Sequence, residues 1–84
     1  SQISVLREQK DRKVIGLRLF GIRPSSVLAS LGLRNGDRLE TINGFELASP
    51  EKTLQAYAQL RLASHLHVQL TRVGKPLELD LNII

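Results

Sequence analysis

The 84-residue sequence contains no cysteine, no methionine and no tryptophan. Without cysteine there is no disulfide, no thiolate zinc site and no thiol nucleophile. That absence suits either a reducing compartment or an oxidising one whose domains need no staple. Aromatics are scarce too, at two Phe and one Tyr, so the core must be aliphatic and little is available to stack on nucleic-acid bases. No apolar run approaches the roughly 20 residues that cross a bilayer as a helix. Neither an initiator Met nor a signal-peptide pattern opens the chain, and residues 1–84 are read as one domain of something longer. Walker and G-x-G-x-x-G phosphate loops are missing. The serines lie at helix starts and in loops, where capping explains them, and no base and orienting acid accompany them. Carboxylates are scattered, with no facing pair. The expectation is a domain with no catalytic activity, no metal and no cofactor.

What is present in excess is positive charge, +4 overall. It comes largely from Arg7, Lys10, Arg12, Lys13, Arg18 and Arg23, against Glu8 and Asp11. Such a run suits an acidic partner, nucleic acid or anionic lipid. It equally suits a solvated edge strand and loop, where Lys and Arg discourage edge-to-edge pairing. The second reading is favoured, because Phe20 is the only aromatic in the stretch. No nucleic-acid partner is expected.

The most informative stretch is Ala29–Leu47. Gly32 follows Leu28, Ala29 and Leu31 where a helix needs a residue free to take positive φ, and Leu33 is placed to pack back on that helix. Arg34-Asn35-Gly36-Asp37 is turn chemistry, with Asp able to accept from nearby backbone N–H groups. Residues 38–42 read as a strand, and Asn43-Gly44 as the centre of a type I′ hairpin. Leu39 and Ile42 are three apart, which strict alternation puts on opposite faces. A bulge, or a strand buried on both sides, is required.

Around this stretch the pattern is regular. Residues 2–8 alternate Ile3 and Val5 with polar residues, as a half-buried strand does, and 9–13 read as a loop. Residues 14–22 form a second strand with Leu17 and Leu19 on one face and Arg18 and Phe20 on the other. Gly16 inside it signals a bend or a close backbone approach. Pro24 fits the first turn of a short helix with Ser25 and Ser26 at its start, and Val27, Leu28 and Leu31 form its apolar stripe. Ser49-Pro50-Glu51 starts a longer helix as N-cap, N1 and first-turn acid, running to about Leu62. Its predicted face is Leu54, Tyr57, Ala58 and Arg61, with Thr53 and Leu60 as the alternative register. Residues 65–72 alternate, with Leu66, Val68 and Leu70 inward. His65 and His67 then share the outer side, where a solvated face is favoured over a metal site for want of a third ligand. A turn at Val73-Gly74-Lys75 leads to the last strand, with Leu77, Leu79, Leu81 and Ile83 inward. The order is β-β-α-β-β-α-β-β.

Gly32-Leu33-x-x-Gly36-Asp37-x-Leu39-x-x-Ile42-Asn43-Gly44 is similar to the G-L-x-x-G-D-x-I-x-x-I-N-G core of PDZ domains, especially bacterial ones. The resemblance implies an α+β fold: a small antiparallel β-sandwich or partly open barrel of about six strands with two helices. It also implies peptide binding by strand addition in a groove between a strand and the second helix. Val14-Ile15-Gly16-Leu17 resembles the loop that receives a terminal carboxylate, although its first position is Val rather than Gly. The implied groove residues are Ile15, Gly16, Leu17, Arg18 and Leu19 on the strand, and Leu54, Tyr57, Ala58 and Arg61 on the helix. Gly16-Leu17-Arg18-Leu19 after a basic loop, Ser49-Pro50-Glu51 and Arg72-Val73-Gly74-Lys75 look like the C-terminal PDZ domain of the type II secretion inner-membrane component C. That implies a periplasmic domain of a protein anchored in the inner membrane, with machinery components or secreted substrates as partners. The alternatives are a substrate-recruiting PDZ domain of a periplasmic serine protease or membrane-embedded metalloprotease, and, from another class, a small basic adaptor for nucleic acid or lipid.

Overall fold

The computed structural model describes residues 3–82, apart from the side chains of Pro50 and Thr53. Gln2 at the expected start of the first strand, Ile83 as the last inward residue and the Thr53 side of the helix lie outside the described residues. The elements are β1 (Ser4–Lys10), β2 (Lys13–Phe20), α1 (Val27–Ser30), β3 (Arg38–Ile42), β4 (Phe45–Glu46), α2 (Pro50–Leu60), β5 (His65–Arg72) and β6 (Lys75–Asn82). All strands pair antiparallel in one open six-stranded sheet of order β1-β2-β3-β5-β6, with β4 attached to β3.

Both helix starts follow from capping. The Ser49 hydroxyl accepts from the Lys52 N–H, with Pro50 at the first position and Glu51 in the first turn. Ser26, rather than a residue nearer Pro24, caps α1 by accepting from the Ala29 N–H at 3.2 Å. That helix ends as its sequence dictates. Gly32 takes φ +98°, its N–H donates to the Ala29 carbonyl, and the Leu33 N–H donates to Leu28. This pair of hydrogen bonds is the Schellman arrangement, and it brings Leu33 into the core.

The puzzle of Leu39 and Ile42 resolves as a bulge. Leu39 pairs with Leu70 and Thr41 with Gln69, leaving Glu40 extra. One added residue restores both side chains to the core side, where they pack against Leu19, Ile22, Leu33, Val68, Leu70 and Leu81. Burying each such aliphatic side chain contributes about 1.5–3 kcal/mol before chain entropy is subtracted.

Three hairpins have two-residue turns with positive φ at both centres: Asp11-Arg12, Asn43-Gly44 and Val73-Gly74. Only the second carries the expected chemistry, and Asn43 does more than turn the chain. Its side-chain oxygen accepts from the His67 N–H at 2.6 Å, and its amide donates to the His65 carbonyl at 3.1 Å. The first hairpin corrects the loop expected at 9–13, since Gln9 and Lys10 continue β1 up to the turn. Val73 holds φ +50° while exposed to solvent, a costly conformation for a β-branched residue. Val73→Asn is expected to raise stability by about 0.5–1 kcal/mol, read as a higher thermal midpoint. A lower midpoint would contradict the turn geometry.

Candidate functional site

Strand addition needs a strand with an unpaired edge, so the ladder decides where a site can lie. β2 has no such edge. It pairs with β1 from Lys13 to Phe20 and with β3 through Leu17 and Arg18, and Leu19 exchanges further bonds with Gly36 and Asp37. Among the described residues the open edges are β1 on one side and β6 on the other, besides the two-residue β4, which pairs with β3 alone. β1 is also the more exposed. Ile3, Val5 and Leu6 stand in solvent, Leu6 at 57% exposure, beside Phe20 on β2. The half-buried character expected of this strand is absent because β1 closes no core on its outer side.

β1 is held by charge as well as by its ladder. Glu8 receives Arg18 on one carboxylate oxygen and Arg38 on the other, at 2.5 and 3.2 Å. Arg38 also reaches Glu40 and the Thr71 hydroxyl, so one network links β1, β2, β3 and β5. The Arg18 hydrogen bond lowers the Glu8 pKa most; burial, next in size, opposes it, and the Arg38 hydrogen bond with both positive charges keeps the net shift downward.

Beside α2 lies an apolar cleft of about 310 Å³, walled by Ile42, Leu47, Ala56, Tyr57, Leu60, Arg61 and Leu66. Ala56 and Leu47 are its buried floor. Leu54 and Tyr57 are 72% and 67% exposed on the helix, a large apolar surface for so short an element.

An exposed strand edge, a capped helix with a cleft beside it, and the Gly32–Gly44 turn and hairpin reproduce one known arrangement as a whole. Two structures of the PDZ domain of EpsC from Vibrio cholerae superpose with TM-scores of 0.78 and 0.75, each at 20% identity. They cover 96% of this chain and 77% and 93% of theirs. The PDZ domain of the pullulanase C protein of the type II secretion system from Klebsiella pneumoniae, in complex with fatty acid, superposes at 0.74 with 24% identity. It covers 96% of this chain and 84% of its own. The fold is that of a PDZ domain. No protein-family model and no curated protein sequence matches the chain.

Within this PDZ fold the sequence-predicted groove residues fall into two groups. The strand group is interior. Leu19 is only 6% exposed and belongs to the core, and Leu17 is half-buried between Arg7 and Leu39. Ile15 is the extra residue where the β1–β2 register shifts, between Val14 opposite Gln9 and Gly16 opposite Glu8. Arg18 is engaged by Glu8 and the Gly36 carbonyl. The strand side of the groove therefore differs from the implied Ile15–Leu19, since β1 pairs along that side of β2. Gly16 is explained from within as well. A Cβ there would lie 2.6 Å from the Leu39 carbonyl oxygen and 2.7 Å from Arg38 Cγ. The close approach inferred from the glycine is that of β3, not of a ligand.

The helix group is accessible: Leu54, Tyr57, Ala58 and Arg61 are all exposed, and Tyr57 and Arg61 also wall the cleft. Sequence reasoning missed Ala56 and Leu66 as cleft residues and had Leu60 only in the alternative register. A helix with Ala56 and Leu60 four apart was the available signal. It also missed the Asp37–Arg72 ion pair. Asp37, 1% exposed, receives Arg72 Nε and an Nη at 2.9 and 2.8 Å and the Arg34 N–H at 2.9 Å. On the outer face of β5 and β6, Asp80 contacts His67 at 2.7 Å and His65 at 3.3 Å. The Asp80 hydrogen bond, then that of Glu78, raises the His67 pKa. Among the described residues no group of three or more His, Cys, Asp or Glu is placed to hold a metal.

Proposed function

We propose that this PDZ domain is a non-catalytic protein-interaction module of a type II secretion system, taking an extended segment of a machinery component or secreted substrate as an added strand. The observation that carries the reading is β1, an edge strand open on one side, with Val5 and Leu6 exposed on it and Ile3 exposed just before it. Main-chain bonds to such an edge supply affinity and alternate side chains supply selectivity. In the proposed site β1 is the receiving strand, and the helix side comprises Leu54, Tyr57, Ala58 and Arg61. Ile15, Gly16, Leu17 and Leu19 support it from beneath, and Arg18 anchors β1 through Glu8. Likeness to the EpsC and pullulanase C domains favours the secretion setting, with a periplasmic location and a parent protein anchored in the inner membrane. Binding is expected to be weak for an isolated peptide, because ordering a flexible segment offsets much of its contact energy. Several copies acting together would strengthen it.

A chemical-shift map with internal and C-terminal peptides from such partners tests this. Saturable shifts over residues 3–10 and 54–61, lost in Tyr57→Asp, are expected. Shifts confined to β6 would refute the site.

The cleft supports a second ligand. Its walls are apolar except for Arg61, a composition suited to an acyl chain ending in a carboxylate, and the Klebsiella domain was solved with fatty acid. A fatty acid should shift Ala56–Arg61 and Leu66 while leaving β1 unmoved. Shifts on β1 alone would exclude that mode.

A further inference from the structure

We infer that the segment received at the β1 edge is an acidic one, with its carboxylates beside the β1–β2 turn and its apolar residues at the opposite end. This rests on the strand-addition reading and specifies the chemistry of its partner.

The exposed side chains of β1 are not mixed along its length. Val5 and Leu6 occupy the first part, with Ile3 just ahead of the strand. Arg7 and Lys10 occupy the second, and the cations continue through Arg12 in the turn to Lys13 at the start of β2. All four are exposed, and none has an ion pair among the described residues. Glu8, the one acid on the strand, is already committed to Arg18 and Arg38. Asp11 in the turn is the only acid left to offset the four charges.

Two details separate this patch from an ordinary solvated edge. Lys10 and Lys13 stand directly opposite each other in the ladder, and like charges so placed destabilise a sheet. A guard against aggregation needs charge only along the open edge, yet Arg12 and Lys13 lie beyond it, in the turn and on a paired strand. An incoming carboxylate would relieve the repulsion and gain the field of all four cations. The receiving surface is a strand whose outward N–H and C=O groups match an extended peptide. Neither a lipid headgroup nor a duplex supplies that ladder, so a protein segment is favoured over either polyanion.

The test uses the unmodified domain and synthetic peptides with a Val/Ile block joined to a Glu/Asp block, in both orders, against counterparts with Gln/Asn in place of the acids. The better-ordered acidic peptide is expected to bind about tenfold tighter than its amide counterpart at low salt, with the preference shrinking as salt rises. Charge reversal in R7E/K10E/K13E should shift the preference to a Lys-containing peptide. The peptide comparison stands even where that variant folds poorly. Equal affinity for acidic and amide peptides would overturn the acidic partner while leaving strand addition intact, and binding of neither would remove both. Anionic vesicles or duplex DNA bound as tightly as the acidic peptide, through the same cations, would assign the patch to a polyanion and overturn the inference.

Discussion

Asp37→Ala is expected to remove about 3–5 kcal/mol of stability, the usual consequence of breaking a buried pair by deleting one partner. The variant leaves the Arg72 guanidinium with the Gly32 carbonyl as its remaining acceptor and the Arg34 N–H without the carboxylate it now contacts. A domain of this size holds on the order of 4–13 kcal/mol in total, so a large fraction is at stake. Urea unfolding should show a midpoint far below that of the parent. An unchanged midpoint would mean the pair contributes nothing. The same pair sets the acid limit. Burial opposes ionisation of Asp37, but the Arg72 hydrogen bonds, the Arg34 N–H and the two nearby charges outweigh it and lower its pKa. Its stabilisation is therefore fully present above the unfolded-state value of about 3.9. It is lost as pH falls through the lower folded value. Asp37→Asn should flatten that acid limb, and a limb identical to the parent's would place the titration elsewhere.

Gly16→Val is the second large effect expected. Its Cβ would enter the space of a backbone oxygen on β3 and of the Arg38 stem, and the backbone atom cannot rotate away. Overpacking of this kind costs about 1–3 kcal/mol, with more where strands must separate. Because Arg38 reaches from Gly16 to Glu8, displacing it should loosen β1 in particular. Hydrogen exchange would show protection falling first over Ser4–Lys10. Uniform loss across the sheet would contradict that linkage, and unchanged stability would contradict the strand packing itself.

Local chemistry made much of this fold legible. Residues 38–42 and 65–72 were bounded from alternation and turn residues alone, because each lies between strong punctuation and a buried neighbour. The spacing of Leu39 and Ile42 requires a bulge or a strand buried on both faces, and the ladder decides for a bulge at Glu40. Asn43-Gly44 and Val73-Gly74 both marked turns, whereas Asp11-Arg12 lay in an expected loop; Arg12 and Val73 take positive φ against their own preference. There the pairing of the flanking strands overrides local preference. The site was less legible because strand order is a long-range property. Alternation says which face Leu17 and Leu19 take, but not that β1 lies outside them. Asp37 looked like a turn residue, and no local pattern announces an Arg 35 positions later. The cations of the first hairpin were visible one by one. Their convergence on one end of the open edge was not.

If a partner segment is received as proposed, it continues the sheet outward from β1. Intermolecular NOEs between an isotope-labelled domain and an unlabelled bound peptide test it most directly. A contiguous run of peptide contacts to the backbone of Ser4–Lys10, with side-chain contacts to Tyr57, is the result predicted. Contacts running instead along Lys75–Asn82, with β1 amides exchanging as fast as in the free domain, would contradict it.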